Sequence, residues 1–151
     1  MSKPPIVANL SNFYESMEVH FSESFEGTVE SLAQARKSTK NYLENVLLLQ
    51  KSQIIDIEIA LGEVLQNIVR YGYFGGDKNK SYSLEIIKKE LLLKITAKDY
   101  ARPIDDLSFL TKAFQANESG GMGLSIIKKL TTSYSIEPQI DGNLHILDFS
   151  I

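Results

Sequence analysis

The chain has 151 residues, of which 43% are hydrophobic and 23% charged. This is the range of an ordinary globular domain, and the length suits one domain with a core better than two. The absence of cysteine excludes disulfides, thiolate nucleophiles and cysteine-based zinc sites. With a formal net charge of −3, the composition shows no basic footprint for direct nucleic-acid binding. No apolar run approaches the ~20 residues that span a bilayer, and residues 1–9 lack a signal-peptide pattern. We therefore expect a cytoplasmic protein without membrane contact.

Periodicity predicts an N-terminal extension at 1–16 and one domain at 17–151. The first predicted elements are a strand at 17–25 and two helices at 29–49 and 53–71, the second of which is capped by Ser52. A hairpin follows, with strands at 82–86 and 91–97 and a turn at 88–90. After a mixed segment at 104–119 come a helix at 123–131 and a pair of strands at 132–136 and 144–151, joined by a turn at 141–143. This order predicts an α+β two-layer sandwich, with a mixed, mostly antiparallel sheet and helices on one face. Strands and helices do not alternate, so a dinucleotide-binding fold is not supported.

Two polar side chains in the second predicted helix suggest chemistry. Glu63 and Asn67 are four residues apart and so share one helix face. An amide oxygen can serve as a single protein ligand to Mg²⁺, which shares its remaining ligands with phosphates and water. A carboxylate beside it can accept a proton from an attacking hydroxyl or water. Both residues can also be ordinary polar residues of a solvent-facing surface. The neighbouring Gly62 indicates either close helix packing or close approach of a ligand.

A glycine-rich loop precedes the third predicted helix. Gly120, Gly121 and Gly123 fall within four positions and are followed by buried-type residues of a helix. Free N–H groups and the helix dipole at such a junction favour an anion such as phosphate, although the same pattern also serves as a plain turn. Asp99, directly after a strand, is either a turn former or an acceptor for an exocyclic amine such as that of adenine.

The remaining charged and titratable candidates are weaker. Lys112 and Arg102 are placed to reach a phosphate, or are solvated surface charges. His20 and His145 lie in predicted strands with no carboxylate or nucleophile at motif spacing, so both are interpreted as ordinary strand residues. A Ser-His-Asp hydrolase or a histidine-based metal site therefore has little support.

The order of three features along the chain resembles the ATP site of the GHKL superfamily (the Bergerat, or histidine kinase-type, ATPase fold). These features are the helix that carries Asn67, Asp99 after a strand, and the glycine loop before a helix. The run Glu-Val-Leu-Gln-Asn-Ile-Val-Arg-Tyr-Gly-Tyr at 63–73 resembles the N box of RsbW/SpoIIAB-type anti-sigma-factor serine/threonine kinases. The run Ser-Gly-Gly-Met-Gly-Leu-Ser-Ile at 119–126 is similar to their second glycine box. The resemblance covers about residues 17–151.

The resemblance implies a role for each matching position. It makes Glu63 the catalytic base, Asn67 the Mg²⁺ ligand and Asp99 the adenine-reading carboxylate. It implies contacts to ATP or ADP from a further set of residues: Ala101, Gly120, Gly121, Met122, Gly123 and Leu124. Arg36 lies in the helix that the family uses to meet its partners. The chain departs from the family pattern at Ala101, where Asp-x-Gly is usual, and at Tyr71, where many such kinases have histidine.

The function implied by the resemblance is that of an ATP-dependent serine/threonine kinase and anti-sigma factor. Such a protein phosphorylates a small anti-anti-sigma partner of the STAS type and sequesters a sigma factor. Family members commonly form dimers, so a homodimer is expected. One alternative is a nucleotide-binding partner-switch module of the same fold without phosphotransfer. Another, a separate histidine-kinase catalytic domain, requires a partner that supplies the phospho-accepting histidine.

Overall fold

Five strands and the helices that cover them make up the fold in the computed structural model, which describes residues 17–110 and 122–151. The elements are β1 (Met17–Gly27), α1 (Val29–Asn45), α2 (Lys51–Asn67), a π-helical turn (Ile68–Gly72), β2 (Asp77–Lys89), β3 (Leu92–Asp99), α3 (Met122–Leu130), β4 (Ser133–Gln139) and β5 (Gly142–Ser150). The strands form one sheet in the order β1-β2-β3-β5-β4. All four neighbouring pairs are antiparallel, which confirms the predicted α+β class, with no parallel pair among the described strands. The proposed extension at 1–16 lies outside the described residues.

One face of the sheet packs against the helices. Alternate residues of β3 are buried, namely Leu93, Ile95, Ala97 and Asp99. Leu43 of α1, Val64 of α2 and Ile127 of α3 are fully buried in the same apolar cluster. Because side chains alternate across a strand, this face is apolar from Leu93 to Ala97 and becomes polar only at Asp99, where the strand ends. None of the helices in the described ranges has the length and apolar content needed to cross a bilayer.

The first two helices differ from prediction at their ends. Helix α1 stops at Asn45, four residues before the predicted end, because Leu48 adopts a left-handed backbone (φ 55°) and the Leu49 N–H turns back to the Leu43 carbonyl. The predicted cap of α2 at Ser52 is wrong. The cap is Gln50, whose backbone N–H donates to the side chain of Gln53.

The second helix also does not continue as a regular α-helix to residue 71. It ends at Asn67, and the next turn is π-helical, with the Tyr73 N–H donating to the Ile68 carbonyl at 3.0 Å. The Tyr73 hydroxyl then donates to the Ser81 carbonyl at 2.5 Å and accepts from the Tyr100 N–H at 2.8 Å. Tyr73 thus ties the end of this turn to β2 and to the loop after Asp99.

Both hairpin turns are tighter than predicted. The β2–β3 turn consists of Glu90 and Leu91, with Glu90 left-handed (φ 54°), so residues 88 and 89 belong to the strand. The β4–β5 turn consists of Ile140 and Asp141, and Gly142 already pairs with Gln139. Of the mixed segment at 104–119, residues 108–110 are helical, and the part from 111 lies outside the described residues.

Candidate nucleotide-binding site

A cavity of about 390 Å³ lies where the end of α2, the π-helical turn, the end of β3 and the start of α3 meet. Four of the predicted site residues line it: Asn67, Asp99, Ala101 and Leu124. Arg102 lines it too, with its side chain mostly exposed and 3.7 Å from Asp105. The volume is within the ~300–1,000 Å³ typical of small-molecule pockets. Residues from three separate stretches of sequence therefore converge on one pocket.

Asp99 is buried at the floor of this pocket, with 3% of its surface exposed. Its Oδ1 accepts hydrogen bonds from the Ala101 N–H at 3.0 Å and from the Asn143 side-chain amide at 3.1 Å. Its Oδ2 lies 2.7 Å from Nε2 of His145. Burial by itself raises the pKa of the Asp99 carboxyl, but the hydrogen bond and charge of His145, together with the two N–H donors, outweigh burial and hold its pKa below the ordinary value. Asp99 is thus an ionised acceptor inside the pocket.

Ala101, the departure from the family pattern, is accommodated without backbone strain. It is not among the described non-glycine residues with positive φ, which are Leu48, Phe74 and Glu90. Its methyl carbon lies 3.2 Å from the position that a methyl on Gly72 would take. The alanine therefore packs against the glycine that ends the π-helical turn. An alanine is tolerated at this site because Gly72 leaves it room.

Glu63 does not line this pocket but lies beside its edge. A methyl group on Gly123 would be only 2.7 Å from Glu63 Oε2, so the carboxylate reaches the first turn of α3. Met122, the first residue of α3, is exposed and does not line the pocket. Gly120, Gly121 and Lys112 lie outside the described residues. Of the predicted glycine loop, the structure thus describes only its junction with the helix.

A second cavity, of about 440 Å³, runs between α1 and α2. Arg36 and Glu63 both line this α1–α2 groove. The Arg36 side chain is 75% exposed, and its Nε lies 3.3 Å from Oε1 of Glu58, whose side chain is only 10% exposed. Gly62 also lines the groove, and a methyl there would meet no atom within 4 Å, so close helix packing does not explain this glycine. Glu63 therefore stands between the groove and the first pocket.

Comparison with known proteins identifies the family. The sequence matches the histidine kinase-like ATPase domain over residues 25–148. The chain belongs to this family. A search of curated proteins gives no match.

Solved structures share this ATPase-domain fold. The RsbU and RsbW domains of Rv1364c from Mycobacterium tuberculosis align with a TM-score of 0.62 and 16% identity, over 87% of this chain and 32% of that one. This chain thus spans about a third of that two-domain protein. The SiaB–SiaC complex from Pseudomonas aeruginosa aligns with a TM-score of 0.62 and 18% identity, over all of both chains. A histidine kinase domain from Erythrobacter litoralis aligns with a TM-score of 0.50 and 13% identity, over 79% of this chain and 58% of that one. At these identities the likeness concerns the fold, and the predicted GHKL fold is confirmed.

For a histidine kinase-like ATPase domain, Mg²⁺ is the implied metal. Within the described ranges no group of three histidine, aspartate or glutamate side chains could hold a metal ion by itself. Asn67 supplies a single amide oxygen in the pocket. This donor set fits a Mg²⁺ ion that arrives with a nucleotide and takes most of its ligands from phosphates and water. It does not fit a metal bound by the protein alone.

Several residues of the pocket were not predicted from the sequence. His145 is no ordinary strand residue: it is buried, lines the pocket and bonds Asp99. His20, by contrast, sits on β1 as predicted, 3.5 Å from Glu85. Four aromatic rings line the ATPase-domain pocket, namely those of Tyr71, Phe74, Phe109 and Tyr134, and the first three are exposed. An apolar, aromatic wall of this kind suits the flat face of a nucleobase.

Proposed function

We propose that the chain is an ATP-dependent serine/threonine kinase and anti-sigma factor, which phosphorylates a small anti-anti-sigma partner of the STAS type and sequesters a sigma factor. The observation that carries the proposal is the convergence of Asn67 and Asp99 on one pocket, with Glu63 at its edge. Membership of the histidine kinase-like ATPase family supports the nucleotide. The RsbW-domain and SiaB–SiaC structures of like fold support the partner class.

ATP or ADP is proposed to bind with its base on Asp99 and its phosphates toward α3. The ionised Asp99 is an acceptor and suits the exocyclic amine of adenine. The nine-residue helix α3 has its N-terminus beside Leu124 of the pocket, and its free N–H groups favour phosphate oxygens. Gly120 and Gly121, directly before it in sequence, are proposed to complete the phosphate loop with Met122 and Gly123.

Phosphotransfer is assigned to Glu63. Its carboxylate accepts the proton of a partner serine or threonine hydroxyl as that oxygen attacks the γ-phosphorus. The bond between the γ-phosphorus and the bridging oxygen breaks, and ADP leaves. Asn67 would hold a Mg²⁺ ion that arrives with the nucleotide, and this ion would neutralise phosphate charge. The position of Glu63, between the pocket and the α1–α2 groove, suits a base that serves an acceptor arriving from outside the nucleotide pocket.

The partner surface is proposed to include the α1–α2 groove. Arg36 is exposed there and lies within the same cavity as Glu63. A protein that docks on α1 would therefore reach the proposed base without entering the nucleotide pocket. The same exposed helix is proposed for the sigma factor, so that the two partners compete, and a homodimer remains part of the proposal.

The test separates nucleotide binding from phosphotransfer. Titration calorimetry with Mg-ADP comes first, and no binding at millimolar nucleotide would overturn the proposal. Capture from a native cell extract with ADP and with ATP then supplies the partner for a phosphotransfer assay with phosphoserine and phosphothreonine mapping. Glu63→Gln should retain ADP affinity and lose roughly 10²–10⁴-fold in rate. Asp56→Asn is the matched control, because Asp56 is an exposed carboxylate of the same helix outside both cavities.

A switch module without phosphotransfer is the second candidate. The observation that favours it is that Glu63 lines the groove and not the nucleotide pocket. If the captured partner binds in a nucleotide-dependent way, yet wild-type protein and Glu63→Gln both leave it unphosphorylated, the switch function replaces the kinase function.

A further inference from the structure

Three polar side chains on adjacent strands form a continuous hydrogen-bonded chain into the floor of the pocket. The Tyr134 hydroxyl on β4 lies 3.0 Å from Nδ1 of His145 on β5, and His145 Nε2 lies 2.7 Å from Asp99 Oδ2 at the end of β3. The sheet register explains the alignment. His145 pairs directly with Ala97 and Ile136, so Asp99 and Tyr134 are its diagonal neighbours on the two sides.

The chemistry of the chain fixes where the protons lie. An ionised carboxylate can only accept, so His145 Nε2 must carry the hydrogen of the bond to Asp99. In the neutral imidazole Nδ1 is then the acceptor, and the Tyr134 hydroxyl donates to it. In the charged imidazolium Nδ1 donates to the Tyr134 hydroxyl, and Nε2 keeps its hydrogen toward Asp99. The Tyr134 and His145 rings are nearly parallel, with 16° between their planes. Tyr134 therefore holds His145 in the form that donates to Asp99.

This arrangement leaves Asp99 a limited capacity toward a ligand. A carboxylate has about four acceptor positions. Two on Oδ1 are taken by the Ala101 N–H and the Asn143 amide, and one on Oδ2 is taken by His145. One position remains, on the oxygen that His145 orients.

We propose that Tyr134 and His145 are positioning residues that set the base specificity of this pocket, because they hold Asp99 as an acceptor with one free position. The inference rests on the proposed nucleotide function. A base that offers a single exocyclic amine can use this position. A 6-oxopurine that presents a carbonyl at the same place meets an acceptor and is rejected. Guanine would donate from N1 and N2 to both carboxylate oxygens of Asp99. Its second hydrogen bond cannot form, because Oδ1 already accepts two hydrogen bonds within the protein.

Loss of the His145 donor should remove this selection between bases. Without His145, the buried Asp99 carboxyl loses its strongest partner and takes up a proton more readily. A protonated carboxyl carries an O–H donor and can bond a carbonyl. Removing His145 should therefore weaken the binding of amine bases and admit 6-oxopurines, whereas a merely structural defect would weaken both alike.

The experiment compares the Kd values of ADP and inosine 5′-diphosphate, measured by calorimetry on the whole chain with Mg²⁺. Wild type should prefer ADP on the order of 10- to 100-fold, as a hydrogen bond to a charged group allows. In His145→Phe the preference should fall to near unity, and in Tyr134→Phe by roughly threefold to tenfold. Tyr134→Phe keeps the ring and so guards against a folding defect in the other variant. Tyr42→Phe is the control, because it removes a buried tyrosine hydroxyl from α1 that lies outside the pocket.

The outcomes separate this inference from the proposed function. If wild type binds ADP selectively and both pocket variants keep the wild-type ratio, the positioning role is wrong while the nucleotide site stands. The positioning role is equally wrong if both Kd values rise in parallel. If wild type binds neither nucleotide, the proposed function and the inference fall together.

Discussion

Tyr73 ties the end of the π-helical turn to β2 and to the loop after Asp99 through one hydroxyl. Its replacement by phenylalanine therefore tests how the elements around the nucleotide pocket are held together. The hydroxyl donates to the Ser81 carbonyl at 2.5 Å and accepts from the Tyr100 N–H at 2.8 Å. Its ring packs so closely on Gly27 that a methyl there would lie 2.6 Å from it. Tyr73→Phe removes the two hydrogen bonds and keeps the ring contact.

The expected loss follows from those two bonds. Each contributes a net ~0.5–1.5 kcal/mol, so the free energy of unfolding should fall by about 1–3 kcal/mol. At about 3 °C per kcal/mol for a domain of this size, the melting temperature should fall by roughly 3–9 °C. Denaturant unfolding and calorimetry measure both quantities. Tyr71→Phe is the control for stability, because the Tyr71 side chain is mostly exposed and lies only two residues earlier in the chain. Because the Tyr100 N–H directly follows Asp99, ADP affinity should also fall in Tyr73→Phe.

The same variant makes a prediction about alkaline pH. Burial is the main cause that raises the pKa of Tyr73 from 10.0 to about 12. The folded state therefore keeps this proton more tightly than the unfolded state. The stabilisation is complete below pH 10 and is lost as the pH rises toward 12. Buried Tyr134 and Tyr82, whose pKa values are also raised, contribute to the same slope, so the difference between wild type and Tyr73→Phe isolates Tyr73. Equal stability of the two proteins at pH 8, or parallel loss above pH 10, would refute the reasoning.

Three glycine substitutions give further predictions. Gly123→Ala should keep the fold, and it should keep ADP affinity because alanine retains the backbone N–H proposed to contact phosphate. Its methyl displaces the flexible Glu63 carboxylate, so the phosphotransfer rate should fall by up to ~10²-fold. Loss of ADP affinity with an unchanged transfer rate would contradict this. Gly142→Ala places a methyl group 1.9 Å from the Asp99 carbonyl oxygen, which belongs to the backbone and cannot move aside. The free energy of unfolding, measured with denaturant, should therefore fall by about 3 kcal/mol or more. Gly62→Ala meets no neighbour and should stabilise α2 by roughly 0.5–1 kcal/mol with ADP affinity unchanged; a destabilised variant would show that the groove needs the glycine.

Much of the fold and part of the site follow from local sequence. The apolar periods predict the strand and helix order, because that signal depends only on which face each element buries. The same periodicity places Asn67 within the second helix and Asp99 directly after a strand. In the structure the two residues end α2 and β3, and both line the pocket. The boundaries were less predictable. The cap at Gln50 and the left-handed Leu48 depend on backbone geometry that common residues can adopt, so no distinctive sequence signal marks them.

The π-helical turn shows a second limit of periodicity. Residues 68–72 continue the apolar pattern of α2, and nothing in that pattern distinguishes a wider turn from a regular one. The difference arises from tertiary contacts, because Tyr73 is fixed at its hydroxyl by β2 and by the loop after Asp99. That fixed point lies immediately after the turn whose residues Ile68, Tyr71 and Gly72 line the pocket. The wider turn therefore shapes the pocket wall.

His145 could not be assigned from sequence for a related reason. It lies 46 residues after Asp99, with no motif between them, and becomes its partner only through the β3–β5 register. A slip of that register by one residue would turn His145 to the opposite face of the sheet and leave the buried Asp99 carboxylate without its Nε2–H donor. The fold and the site are thus coupled at this point: whatever fixes the register of β5 also fixes the protonation of the carboxylate proposed to read the base. Gly142 contributes to that register, because a methyl group there would lie 1.9 Å from the Asp99 carbonyl oxygen and would keep the start of β5 from approaching the Asp99 backbone.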